Sequence, residues 1–153
     1  MGCLTCAVAV LAVAVLAGCS APAPATGSTP GAGPGNGCGQ VVEPAGEGFP
    51  EVQGTARGAE LWGLLFVERT PLRHGDEVKI VWRMTGEGPL RVAASLPDGT
   101  AATLVWGPEE HGGSSWRRPG QEWGTGFVFP EPGCWKVELT RTRGAGHVLL
   151  DVV

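Results

Sequence analysis

No residue before Glu43 carries a charged side chain; all 11 Lys+Arg and all 15 Asp+Glu of the 153 residues lie from there on. That absence excludes one uniform globular chain and divides the sequence into an uncharged first part and an ordinary second one. From Glu43 to the last residue, 26 charges in 111 positions is about 23%, the usual density of a soluble domain. A basic stripe is also missing. With a formal net charge of −4 and a pI near 5.3, nucleic acid is not an expected partner. No segment sustains helical periodicity over three turns and no internal repeat is found, which excludes a helical bundle or a repeat array. The length fits one domain.

An apolar run of membrane-spanning length is likewise missing. Cys3 to Ala17 gives about 15 apolar residues, short of the roughly 20 that a span needs. The run suits the apolar core of an export signal, and it ends in Leu16-Ala17-Gly18-Cys19. This tetrapeptide resembles the lipobox of bacterial lipoproteins. The resemblance implies that residues 1–18 are a lipoprotein signal peptide. Cys19 would then be diacylated on sulfur and become the first residue of the mature protein. A peptidase cutting there must accept an extended backbone, which is why small residues flank the cut. One departure is that no Lys or Arg precedes the run, a charge that a start codon further upstream would supply. Two acyl chains suffice for stable anchoring, so the expected location is the extracytoplasmic face of the cell membrane, with the lipid on Cys19.

Residues 19–40 hold Ala, Gly, Pro, Ser and Thr but no large side chain until the tail of the segment. Nothing there offsets the entropy of ordering, so a disordered tether is expected. Its 18 residues from Ser20 to Gly37 reach about 25 Å on a root-mean-square basis.

From residue 41 the pattern turns to period 2. Val78, Ile80, Trp82 and Met84 alternate with Lys79 and Arg83. Leu90, Val92, Ala94 and Leu96 alternate with Arg91 and Ser95. Trp135, Val137 and Leu139, then Val148, Leu150 and Val152, repeat the theme. Such alternation marks strands with one buried face. Glu60–Val67, Thr100–Trp106 and Trp123–Phe129 read as less regular strands. Gly- and Pro-bearing breaks separate them. About seven strands at this spacing predict an antiparallel all-β sandwich over residues 41–153.

Gly133-Cys134-Trp135-Lys136-Val137 resembles the start of the penultimate strand in immunoglobulin-like and fibronectin-like bacterial domains. The resemblance implies that Trp135 packs under a corner of the sandwich, its indole N–H replacing the usual tyrosine hydroxyl. Leu61–Phe66 and Phe127–Val153, with nine Arg against two Lys, resemble uncharacterised lipoproteins of high-GC Gram-positive bacteria. That resemblance implies a membrane-anchored sandwich and assigns no activity. Cys38 and Cys134 remain as the two cysteines outside the leader. In an oxidising compartment they are expected to form a disulfide tying the tether to the penultimate strand; they do not form a C-x-x-C redox motif.

Residues 107–123 are the longest predicted loop and hold Trp116, Arg117, Arg118 and Trp123. Trp and Arg are frequent binding anchors: indoles stack on sugar rings, and guanidinium groups fork onto carboxylate or phosphate. A competing reading folds Trp116 and Trp123 back over the sandwich and pairs Arg117 and Arg118 with Glu109, Glu110 and Glu122. The expected function is a membrane-anchored binding or interaction module, with cell-wall glycan or another envelope protein as partner. Two rivals are a structural envelope component and an exported copper or zinc carrier. For the carrier, His111 beside Glu109 and Glu110 is the only start on a donor set, and the three histidines lack clustered spacing. Ser114 and Ser115 follow Gly112-Gly113, but Gly-x-Ser-x-Gly is absent and no motif places a His or an Asp. Neither an enzyme nor a resident cofactor is expected.

Overall fold

The computed structural model describes Gly2 and residues 38–39, 41–44 and 46–153. The expected signal peptide, Cys19 and nearly all of the tether lie outside the described residues. No helix is found among those described. Ten strands form two antiparallel sheets. The seven predicted strands are all present: β4 (Leu61–Leu65), β5 (Glu77–Met84), β6 (Arg91–Ser95), β7 (Thr103–Glu110), β8 (Gln121–Val128), β9 (Gly133–Thr140) and β10 (Ala145–Val152). Three short strands precede them: β1 (Val41–Val42), β2 (Glu51–Gln53) and β3 (Thr55–Arg57).

The six-stranded sheet has the order β1-β2-β4-β5-β8-β7, and the four-stranded sheet the order β3-β10-β9-β6. Without the three short strands, the orders are β4-β5-β8-β7 and β10-β9-β6. This is the strand order of an immunoglobulin constant-type sandwich. The chain enters by crossing between the sheets, with β2 extending one and β3 the other. Gly54 makes that crossing possible, because a Cβ there would press on Leu61 and on the His147 carbonyl.

The predicted inward residues are the core. Val78, Ile80, Trp82 and Met84 are buried, as are Trp135, Val137 and Leu139 and Val148, Leu150 and Val152. Two polar groups in the middle of this layer satisfy each other: Trp82 Nε1 donates to Thr125 Oγ1 at 2.8 Å, and that hydroxyl donates to the Ile80 carbonyl at 3.2 Å. Trp135 is fully buried, and its Nε1–H donates to the carbonyl of Glu131, four residues upstream, at 3.0 Å. An indole thus makes the bond that a tyrosine hydroxyl makes at this corner in immunoglobulin folds. Cys38 is disulfide-bonded to Cys134.

The cross-strand register assigns every loop to one end. Glu77 lies opposite Val128 and Asp151 opposite Cys134, so the disulfide and the connections 66–76, 96–102 and 129–132 share one end. Met84 lies opposite Gln121 and Ala145 opposite Thr140, so loop 111–120 and the turns 85–90 and 141–144 share the other. Eight residues of strand separate the two, about 25 Å.

Candidate functional site

The predicted loop 107–123 is shorter than expected. Residues 107–110 continue β7 and residues 121–123 belong to β8, leaving 111–120 as the connection. β7 survives Gly107 and Pro108 because its register shifts between Leu104 and Trp106 and again between Trp106 and Glu109. Such bulges absorb residues that would break a regular ladder. At the far end of the loop, Gly120 has a φ of +99°, and a Cβ there would run into the Met84 carbonyl.

The loop folds back across the outer face of the six-stranded sheet. One row of that face reads Gln53, Trp62, Arg83 and Glu122 across β2, β4, β5 and β8. The Glu122 side chain is 2% exposed. Arg83 Nε donates to Glu122 Oε2 at 2.8 Å, and the Ser114 hydroxyl donates to the same oxygen at 2.6 Å. His111 Nδ1 lies 3.0 Å from Oε1, which has no aligned hydrogen-bond partner among the described residues. Arg83 also donates to the Arg118 carbonyl at 2.9 Å. Glu122 and Arg83 therefore latch both limbs of the loop to the sheet.

The four predicted ligand residues separate. Trp123 is 3% exposed and points into the core, with the Arg141 guanidinium 4.6 Å from its ring centre. It presents no face to a ligand. Arg118 is spent within the protein. It lies 4.0 Å over the Trp62 ring and pairs with Glu51 at 2.7 Å, not with Glu109, Glu110 or Glu122. Trp116 is half-buried, with Arg83 stacked over its ring at 5.9 Å. Arg117 is exposed and makes no ion pair with the described residues.

Sequence reasoning missed Trp62, Arg83 and Glu51 as members of this site. A signal existed for two of them: Trp62 and Arg83 sit at outward positions of their strands, and a tryptophan is out of place on a polar face. For Glu51 no signal existed, because its partner Arg118 is 67 residues away. Trp106 completes the outer face. Its ring lies flat over Gly124 and Gly126, and its Nε1 donates to Glu77 at 2.8 Å.

Three of the six tryptophans, Trp62, Trp106 and Trp116, are thus half-buried on the outside of one sheet, and the other three fill the core. The indole N–H groups of Trp62 and Trp116 are buried and find no acceptor among the described residues. Each such orphan costs about 1–3 kcal/mol. A hollow of about 370 Å³ lies beside the latch, lined by Arg83, Glu110, His111, Gln121 and Glu122. Ser114 donates to Glu122, with no histidine hydrogen-bonded to it among the described residues, so its own hydroxyl lacks the paired base of an activated serine. No group of three or more His, Cys, Asp or Glu side chains converges among the described residues.

This geometry defines a disulfide-tied all-β sandwich with a latched Trp/Arg surface on one sheet. No protein-family model, no curated protein and no solved structure matches the chain.

Proposed function

We propose that the protein is a membrane-anchored, extracytoplasmic binding module whose working surface is the latched outer face around Trp62 and Trp116. The observation that carries this reading is the pair of half-buried indoles with unsatisfied N–H groups. An orphaned donor costs stability. Because both N–H groups are buried and Arg118 lies over the Trp62 ring, a glycan supplies acceptors to them by displacing the loop from the rings, and the two uncompensated donors lower the cost of that displacement. The placement supports it as well. Cys38 joins the preceding chain to one end of the sandwich, and the loop lies at the other. With Cys19 as the lipid-bearing residue, the tether would attach at the end of the sandwich remote from the loop.

Titrating the full chain with soluble cell-wall glycan fragments while reading tryptophan fluorescence tests the surface. The expected result is a saturable change that Trp116→Ala and Trp62→Ala remove. A change that survives both substitutions assigns binding elsewhere. If Trp116→Ala lowers the melting temperature and no fragment binds, the loop is a structural cover. The anchor has its own test: Cys19→Ala is expected to abolish palmitate labelling and to move the protein out of the membrane fraction.

A further inference from the structure

The charges are sorted between the two ends of the sandwich. The disulfide end collects Glu43, Glu68, Asp76, Glu77, Asp98, Glu131 and Asp151 against the basic Arg69, Arg73, Lys79 and Lys136. The opposite end carries Arg57, Arg83, Arg91, Arg117, Arg118, Arg141 and Arg143 against Glu60, Glu87, Glu109, Glu110 and Glu122. A net charge of −4 therefore conceals a polarity, with a small excess of positive charge at the end away from the disulfide and an acidic excess at the disulfide end.

Several of these arginines are already occupied. Arg141 is buried and donates to the Gly88 and Met84 carbonyls and to Gln121. Arg118 is held by Glu51. Arg57 and Arg91 are exposed and unpaired among the described residues, and the register puts them in one row. Arg57 lies opposite Ala145, Ala145 opposite Thr140, and Thr140 opposite Arg91. Direct cross-strand partners share a face, and all four are exposed, on the outer face of the four-stranded sheet. Two arginines thus stand at the two edges with small side chains between them, about 14 Å apart at three strand spacings. Beside this row lies a hollow of about 350 Å³ lined by Arg57, Lys136, Glu138, Thr140 and His147. Its one acid, Glu138, is neutralised by Lys136 at 2.6 Å.

We propose that the Arg57–Ala145–Thr140–Arg91 row binds an extended anionic polymer of the cell envelope, bearing phosphate or carboxylate groups, across the outer face of the four-stranded sheet. The inference rests on the binding-module reading but places the polyanion on the sheet opposite the tryptophan surface. Each guanidinium forks onto an anionic group, Thr140 supplies a hydroxyl between them, and the acidic far end repels the polymer from any other seat.

Binding of the full chain to inorganic polyphosphate and to polyglutamate is measured at low and at physiological salt. A DNA oligonucleotide is included as a third probe. The expected result is saturable, salt-sensitive binding to one of the first two, which tells phosphate from carboxylate. The double variant Arg57→Ala/Arg91→Ala weakens it roughly tenfold or more. Arg69→Ala/Arg73→Ala removes the same charge from the exposed opposite end and leaves affinity within about twofold. Equal weakening by the two double variants overturns the row as a site and leaves only a net-charge effect. No binding of either polymer, or tighter binding of DNA, overturns the polymer assignment. Loss on Trp116→Ala with the Arg57/Arg91 variant intact overturns the face while leaving the tryptophan surface as a binding site.

Discussion

Trp135 carries two duties at one position: its ring fills the corner between the sheets beside Phe129, with centroids 5.3 Å apart, and its N–H caps the Glu131 carbonyl. Trp135→Phe keeps part of the filling and removes the bond. Urea unfolding is expected to show a loss of about 1–3 kcal/mol, the sum of one hydrogen bond and a small cavity. Gly126 shows the opposite constraint. The Trp106 indole occupies the space that a Cβ would take, so Gly126→Ala must displace the ring and break its bond to Glu77. A fall in stability of about 1–3 kcal/mol is expected from the overpacking, with a red shift in tryptophan emission. The Glu138 carboxyl is held below its ordinary value of 4.5 by the hydrogen bond and charge of Lys136. A depressed acid contributes its stability above the ordinary value and loses it as pH falls through the lowered one. Both side chains are about half exposed, so the effect is small. NMR titration of Lys136→Met is expected to show the Glu138 midpoint rising toward 4.5.

The latch is a property of the β7–β8 connection and of no single residue. Glu122 is buried on β8 and Arg83 faces it from β5, while Ser114 and the Arg118 carbonyl bring in the loop. Glu122→Gln keeps the shape and leaves the Arg83 charge uncompensated, at an expected cost of about 2–4 kcal/mol. The loop should respond before the core does. Brief trypsin treatment, followed by mass spectrometry, is expected to cut after Arg117 in the variant and to spare the native protein, Arg118 being protected by Pro119; equal cutting in both would mean that no latch exists. The same elements show what the sequence reveals. β5 and β9 were legible because each buries one clean face, so a period of 2 is written into them. β1, β2 and β3 were not, since two or three residues carry no period, even though Val52 of β2 reaches the core and Val41 and Ala56 pack against it. The loop was read too long because Gly107 and Pro108 are breakers in a regular strand but fit a bulged one. The site was half legible. Loop composition pointed to Trp116 and Arg117, whereas the burial of Trp123 and the capture of Arg118 depend on residues far away in the chain.

At the scale of the molecule, the disulfide decides where the sandwich is held. The chain after Cys38 reaches its first long strand only through β1, β2 and β3, each two or three residues long, with β1 and β3 at sheet edges and β2 shielded only by β1. A pull on the preceding chain would peel these edges one after another, since each offers only a few ladder bonds. Cys38–Cys134 moves the point of attachment to the start of β9, a strand paired on both sides by β6 and β10. It also closes 96 residues of chain, which restricts the unfolded state. Replacing both cysteines with serine is expected to destabilise the domain by about 2–4 kcal/mol. The two effects separate experimentally. Urea unfolding reports the equilibrium loss. Hydrogen exchange in the double variant reports whether the amides of β2 and β3 lose protection well before those of β5 and β9, as a peeling edge requires. Uniform loss of protection across all the strands would show that the bond acts only through the unfolded chain and does not protect the sheet edges.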